Sequence, residues 1–144
     1  MIVLDNSALV EMILNSEEGR GLQLLMEENE RAISCDLVQA ELGSVLRKLV
    51  RLGKIPQENA ELYYRNAMNL IDELVPIGDL QPEVLCESIR LNHSTYDMFY
   101  FVLARRTGAV LFTLDQKLVD ICERNGVSCA TMLDFDFEED DLPL

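Results

Sequence analysis

The chain has 144 residues, 49% of them apolar, and a formal net charge of −14 from 12 basic and 26 acidic side chains. This length suits one domain with a hydrophobic core, and the apolar content argues against disorder. No apolar stretch reaches the roughly 20 residues that cross a bilayer, and no basic segment precedes the first apolar run as in a signal peptide. We expect a soluble, cytoplasmic protein with no membrane partner.

Strand and helix patterns alternate along the chain. In chain order they predict a strand at 1–4, helices at 7–14 and 16–30, a strand at 31–35, helices at 36–53 and 56–73, a strand at 73–79, helices at 82–91 and 95–106, a strand at 109–115, a helix at 116–126 and a strand at 127–133. Short strands separated by helices require right-handed crossovers and a parallel sheet covered on both faces. We predict a three-layer α/β/α sandwich with a central, mainly parallel sheet over residues 1–133, followed by an acidic tail at 134–144.

The four cysteines, Cys35, Cys86, Cys122 and Cys129, contain no C-x-x-C pair. Their spacings do not suit a zinc site, and disulfides are unusual in proteins that are not exported. We expect buried, reduced thiols.

Two aspartates, Asp5 and Asp115, stand at the downstream ends of predicted strands. In open parallel sheets, ligands bind at the carboxyl ends of the strands. The alternative is that each aspartate caps the helix that follows it, a common role for aspartate after a strand. For either residue taken singly, the cap is the better explanation.

Two further carboxylates lie on predicted helices. Asp97 shares a helix face with Tyr100 and Phe101, and a carboxylate beneath an apolar face is costly unless a cation or a donor compensates it. The alternative is a capping role next to Ser94. Glu41 lies on the border of the apolar face of its helix, where a carboxylate is usually solvated.

Together the four carboxylates, Asp5, Glu41, Asp97 and Asp115, are more informative. Acids that converge at one end of a parallel sheet repel each other unless a divalent cation lies between them. Magnesium or manganese binds oxygen ligands and retains several waters, which suits a site made of carboxylates. Such an ion can activate a water and neutralise charge on a phosphodiester.

Four short motifs occur in order between residues 1 and 132: the first strand with Asp5 and Ser7, Glu41 within AELGSVLRKL, Y-D-x-x-Y-x-x-L-A at 96–104, and T-x-D-x-x-L at 113–118. Each motif is weak alone, but the ordered set is specific. The chain resembles the PIN-domain nucleases, and within them the VapC-type toxins of VapBC toxin–antitoxin pairs.

The resemblance implies a metal-dependent endoribonuclease that hydrolyses RNA phosphodiester bonds and is the toxin of a type II toxin–antitoxin system. It also implies Mg²⁺ or Mn²⁺ as cofactor, a homodimer, and a cognate antitoxin that occupies the active-site groove. The implied site residues are four catalytic carboxylates, whose aspartates bind the metal, and two hydroxyl residues that hold carboxylates and ordered water: Asp5, Glu41, Asp97 and Asp115, with Ser7 and Thr113.

The charge of the chain opposes RNA binding, since the six acids of residues 134–144 still leave −8 for the rest. Local positive potential is best supplied by RKLVRLGK at 47–54, and the acidic tail is a candidate competitor of RNA for that stretch. The single histidine, His93, precedes a helix cap and is expected to be structural.

Two other classes of function remain open. One is a PIN-fold binding or scaffold protein that has lost catalysis, although four mutually repelling acids argue against it. The other is a phosphoryl-transfer protein, such as a receiver domain or a haloacid-dehalogenase-like phosphatase. The Asp5-Asn6-Ser7 sequence lacks the second aspartate of the phosphatase D-x-D motif, which argues against this class.

Overall fold

The computed structural model describes residues 1–132, so the predicted acidic tail lies outside the described residues. Five short strands form one parallel sheet in the order β3-β2-β1-β4-β5. The strands are β1 (Ile2–Leu4), β2 (Ala32–Cys35), β3 (Glu73–Val75), β4 (Val110–Phe112) and β5 (Cys129–Ala130). At the centre of the sheet, Ile2 of β1 pairs with Ala32 on one side and Val110 on the other.

Helices cover both faces of this sheet. They are α1 (Asn6–Ile13), α2 (Glu17–Leu24), α3 (Leu37–Arg51), α4 (Ala60–Asn69), α5 (Glu83–Leu91), α6 (Thr95–Thr107) and α7 (Gln116–Arg124), with 3₁₀ turns at Gln57–Asn59 and Ile77–Leu80. Helix α1 packs with α2, α3 and α4, whereas α6 packs with α5 and α7. This division follows from right-handed crossovers that run in one direction across the sheet from β1 to β3 and in the opposite direction from β3 to β5. The predicted three-layer α/β/α sandwich is confirmed.

Helix α6 is the central element of its layer. Seven consecutive residues, from Met98 to Ala104, are buried, and the helix packs against β1, β2 and β4. Ser94 caps its first turn and Gly108, at φ +67°, ends it. Because the middle of the helix is buried, its first turn, which contains Asp97, is held in place beside the sheet.

Several element boundaries differ from the sequence prediction. Helix α2 stops at Leu24 rather than near residue 30, and Asn29 at φ +61° cannot continue a helix. Helix α4 is shorter than predicted, because Pro56 has an extended backbone and Glu73 already pairs with β2 as part of β3.

The cysteine prediction is correct in part. None of the four thiols forms a disulfide within the described residues, and Cys35 and Cys122 are buried. Cys86 is exposed on α5, contrary to expectation. Among residues 1–132, no helix has the length and apolar character needed to span a membrane.

Candidate active site

One cavity of about 340 Å³ collects all four sequence-predicted carboxylates. Because the strands are parallel, residues that follow β1 and β4 meet at one edge of the sheet, and the first turns of α3 and α6 approach the same edge. The residues that line the cavity are Asp5, Asn6, Ser7, Val10, Glu11, Glu41, Val45, Asp97, Tyr100, Leu114 and Asp115.

Asp5 is the most deeply buried of these carboxylates, with 4% of its surface exposed. Its Oδ1 accepts hydrogen bonds from the Ser7 hydroxyl at 2.7 Å and from the Ala8 amide at 2.9 Å. Burial raises the pKa of Asp5 to about 6; bonds from Ala8, Thr113 and Ser7 oppose this rise, and the charge of Asp97 adds to it. Asp5 therefore caps α1, as the alternative proposed, and also lines the cavity.

Ser7 and Thr113 join the two strand ends. The Ser7 hydroxyl donates to Asp5, accepts from the Leu114 amide at 2.9 Å, and lies 3.4 Å from the Thr113 hydroxyl. The Thr113 hydroxyl in turn accepts from the Asp115 amide at 3.1 Å. The two hydroxyls thus fix the segment after β1 against the segment after β4.

Asp115, like Asp5, both caps a helix and lines the cavity. Its Oδ1 accepts from the amides of Lys117 and Leu118, at 2.9 and 3.2 Å, which caps α7. The same residue lines the cavity that contains Asp5. For Asp5 and Asp115 alike, the cap and the cavity position are compatible, since the cap fixes where the carboxylate lies.

Asp97 contacts the single histidine. The Nε2 atom of His93 lies 2.8 Å from Oδ2 of Asp97. An ionised carboxylate only accepts hydrogen bonds, so the tautomer that makes this bond has its proton on Nε2. The backbone of His93 is itself held by Ser88, whose carbonyl accepts from the His93 amide at 3.1 Å. Sequence reasoning missed this contact, because it considered His93 apart from the carboxylates.

Glu41 is held by a buried tyrosine. The Tyr100 hydroxyl donates to Glu41 Oε1 across the gap between α6 and α3. Burial raises the pKa of Glu41, the Tyr100 bond lowers it, and the charge of Asp97 raises it further. Tyr100 was predicted on an apolar helix face and within the Y-D-x-x-Y motif, without a role at the site, and its register three residues after Asp97 was the available signal.

Glu11 is a fifth carboxylate at this cavity and was not predicted. It lies on α1, six residues after Asp5, where nothing in the sequence separates it from an ordinary exposed acid. Its presence increases the negative charge around the cavity.

The donor set suits a hard divalent cation, since it consists of carboxylate oxygens in a space large enough for an ion with waters. However, no three His, Cys, Asp or Glu side chains among residues 1–132 are already arranged to hold a metal ion. Two of the carboxylates are turned to other partners, Asp97 to His93 and Glu41 to Tyr100. Burial is the main cause of the raised pKa values of Asp5 and Glu41, and the charge of Asp97 adds to it, so a cation bound between these groups would favour their ionised forms.

Known proteins share the sequence pattern or the fold of this chain. The VapC ribonuclease Mb0985 of Mycobacterium bovis and ribonuclease VapC9 of Mycobacterium tuberculosis are each 31% identical to this chain over 120 residues, which cover 83% of this chain and 90% of theirs. The crystal structure of PAE2754 from Pyrobaculum aerophilum has a TM-score of 0.67 at 24% identity, over 83% of this chain and 84% of that one, and so shares the fold. Residues 2–124 match the model of the PIN domain, and the chain therefore belongs to the PIN-domain family, as its four motifs predicted.

Proposed function

We propose that this protein is an endoribonuclease that hydrolyses RNA phosphodiester bonds as the toxin of a type II toxin–antitoxin pair. The observation that carries the proposal is the cavity in which Asp5, Glu41, Asp97 and Asp115 meet at the carboxyl edge of the sheet. The names of the mycobacterial relatives, VapC ribonucleases, support RNA as the substrate and an antitoxin as the partner. A homodimer is part of the same proposal and rests on the resemblance alone.

The proposed cofactor is Mg²⁺ or Mn²⁺, with Asp5 and Asp97 as principal ligands and Asp115 as the third. When bound, the ion supplies activation of water and neutralisation of charge on the phosphodiester. Ser7 and Thr113 keep Asp5 and the Asp115 segment in register. Glu41, whose pKa is raised by burial, lies at the cavity wall, where it can orient a water or take its proton.

The experiment compares wild type with Asp97→Asn on a panel of structured RNAs, with Mn²⁺, with Mg²⁺ and with a chelator. We expect cleavage by wild type only with metal, and a loss of at least about 100-fold in Asp97→Asn, since changes in the outer shell of a metal site alone cost about 10- to 100-fold. Asp120→Asn is the matched control, because it removes the same charge from α7 without lining the cavity.

Equal cleavage by wild type and Asp97→Asn would reject this site as the catalytic centre. The second candidate is a PIN-fold scaffold without catalysis. It would be favoured if neither protein cleaves any RNA and wild type also fails to bind Mn²⁺ in a calorimetric titration.

A further inference from the structure

A second cavity, of about 520 Å³, opens beside the acidic one. The two share Asn6, Glu41 and Val45, so they form a continuous depression along α3. We call this second cavity the α3 groove; its lining residues are Asn6, Leu37, Ala40, Glu41, Ser44, Val45 and Tyr96. Leu37, Ala40 and Val45 form the apolar part of its lining, and Glu41 is the only one of the four site carboxylates that lines it.

Tyr96 forms one wall of the α3 groove and is 60% exposed. It lies in the first turn of α6, directly before Asp97, and the groove that it lines shares Asn6, Glu41 and Val45 with the carboxylate cavity. An aromatic ring left in water beside an apolar floor offers a stacking surface to a planar group, and every nucleobase has such a face. Because the ring is mostly exposed, the fold does not depend on it for packing.

The groove continues into a basic stretch of the same helix. Arg47 and Lys48 lie three and four residues after Ser44, one turn beyond the groove, and both are exposed. Arg51 and Lys54 follow, while residues 37–54 contain a single acid, Glu41. Lys48 is seven residues from Glu41, about 10 Å along the helix axis.

These cations differ from the arginines of α5 and α6. Across the described part of the chain, none of the four takes part in an ion pair, whereas Arg90, Arg105 and Arg106 are all paired with Glu83 or Glu87 of α5. Unpaired cations that follow an apolar groove in an otherwise acidic protein are suited to an anionic partner.

We propose that the α3 groove binds single-stranded RNA, with one nucleobase stacked on Tyr96 next to the scissile phosphate and backbone phosphates along Arg47 and Lys48. This inference rests on the proposed function for the identity of the substrate. A single strand is required, because the bases of a duplex are stacked on each other and cannot reach an aromatic side chain. An anionic chain with planar bases matches both halves of the surface, the apolar groove and the cations beyond it.

The test measures binding of fluorescein-labelled 12-nucleotide oligoadenylate and oligouridylate by anisotropy, with Mg²⁺, in the Asp97→Asn background so that RNA stays intact. Tyr96→Ala should weaken binding about 5- to 150-fold, the range for loss of one base–aromatic stack, and Tyr96→Phe should change it less than about twofold. Arg47→Gln with Lys48→Gln should lower the slope of log affinity against log salt by about 1.4, or about 0.7 for each lost phosphate contact. Arg20→Gln with Arg124→Gln, which removes two cations from α2 and from the far end of α7, is the charge-matched control and should leave both quantities unchanged.

A single abasic nucleotide moved along the oligonucleotide identifies the stacked base. At one position, removal of the base should weaken binding to the Tyr96 protein and leave the Tyr96→Ala protein unaffected. A duplex of the same length should bind at least about tenfold more weakly than the single strand.

The outcomes separate this inference from the proposed function. The α3 groove is not an RNA site if Tyr96→Ala and Tyr96→Phe bind RNA equally well and the Arg47 and Lys48 variant keeps the salt slope of wild type. A protein partner would then be the remaining occupant of the groove. If wild type nevertheless cleaves RNA in a metal-dependent way, the proposed nuclease function still holds. If RNA binding depends on the α3 groove but no RNA is cleaved, the proposed nuclease function is wrong and the RNA-binding site still holds.

Discussion

The carboxylate of Asp5 lies where the fold makes its charge unfavourable. Its pKa of about 6, against an ordinary value of 3.8, corresponds to a penalty on the order of 3 kcal/mol for the ionised form. The bonds from Ser7 and Ala8 reduce this penalty but do not remove it. A folded protein that keeps such a charge gains stability from any cation that binds beside it.

The first prediction concerns Asp5→Asn in chelator. The substituted amide oxygen can still accept both bonds, so the change mainly removes the charge. The stability contributed by protonation of Asp5 is fully present below about pH 4 and is lost as the pH rises through about 6. Between pH 5 and pH 7.5 the free energy of unfolding of Asp5→Asn should therefore rise by about 1–2 kcal/mol relative to that of wild type, as measured by urea unfolding.

Metal provides the control for that measurement. Saturating Mg²⁺ should stabilise wild type more than Asp5→Asn and so reduce the difference at pH 7.5. A stability difference that does not vary with pH would show that the amide acts through packing rather than through charge.

The second prediction concerns His93, whose bond to Asp97 holds one carboxylate oxygen and leaves the other available to a metal. His93→Ala should weaken Mn²⁺ binding about tenfold, as is typical when a group that orients a metal ligand is removed. His93→Gln, whose amide nitrogen can reach a similar position, should recover most of the affinity. Calorimetric titration with Mn²⁺ measures this directly; tighter binding by His93→Ala would mean that the histidine withholds Asp97 from the metal.

At the scale of the elements, the meeting of Asp5 with Asp115 could be predicted from the sequence. Both follow apolar strand patterns, and the carboxyl ends of parallel strands share one edge of the sheet. The positions of Asp97 and Glu41 were also accessible, because helical periodicity assigns each to a face or a border. These inferences need only local periodicity and the handedness of the crossovers.

The partners of the carboxylates could not be predicted in the same way. The contact of Glu41 with Tyr100 depends on how α3 and α6 approach each other, which packing decides and periodicity does not. The contact of His93 with Asp97 depends on Asn92, whose φ of +49° ends α5 and directs the chain into α6. Glu11 has no distinguishing pattern, so only the three-dimensional arrangement assigns it to the cavity.

The third prediction concerns the two ion pairs of Glu87 on α5, one with Arg90 of the same helix and one with Arg105 of α6. Glu87 accepts from Arg90 and Arg105, at 2.6 and 2.8 Å, and these bonds hold its pKa near 2 instead of 4.5, with Arg90 the larger cause. The stabilising effect is present above about pH 4.5 and is lost as the pH falls to about 2. Glu87→Gln should therefore lower the free energy of unfolding at pH 7 by about 1 kcal/mol, a figure reduced for solvent screening.

Urea unfolding at pH 7 and pH 2.5 checks this result, because the difference between Glu87→Gln and wild type should shrink at the lower pH. Glu61→Gln is the control, since its bond to Arg65 on α4 joins two exposed side chains and should contribute less than about 0.5 kcal/mol. Equal effects of the two substitutions at both pH values would mean that the ion pairs of Glu87 stabilise the fold no more than the exposed pair on α4 does.

On the scale of the whole molecule, the distribution of charge matters more than its sum. The net charge of −14 repels RNA at long range, yet the basic stretch at 47–54 begins on the same helix as Glu41, with Lys48 about 10 Å from Glu41 along the helix axis. Repulsion from distant charges is screened beyond about 8–10 Å in physiological salt, whereas contacts with phosphates persist. An acidic protein can therefore bind RNA through one surface, with an affinity that depends on how close the remaining acids lie.

The acidic tail at 134–144 offers a test of how distant acids affect RNA binding. The division of the chain into a domain at 1–133 and this tail remains a prediction. Deleting it reduces the net charge to −8 and should raise RNA affinity about threefold at low salt, with the gain disappearing near 0.5 M salt as screening removes the repulsion. A variant with the same tail length and amides in place of its six acids separates charge from contact. If charge alone matters, this variant and the deletion should bind RNA equally well at every salt concentration. Unchanged affinity in both would show that the basic stretch and the cavity determine RNA binding without any contribution from the tail.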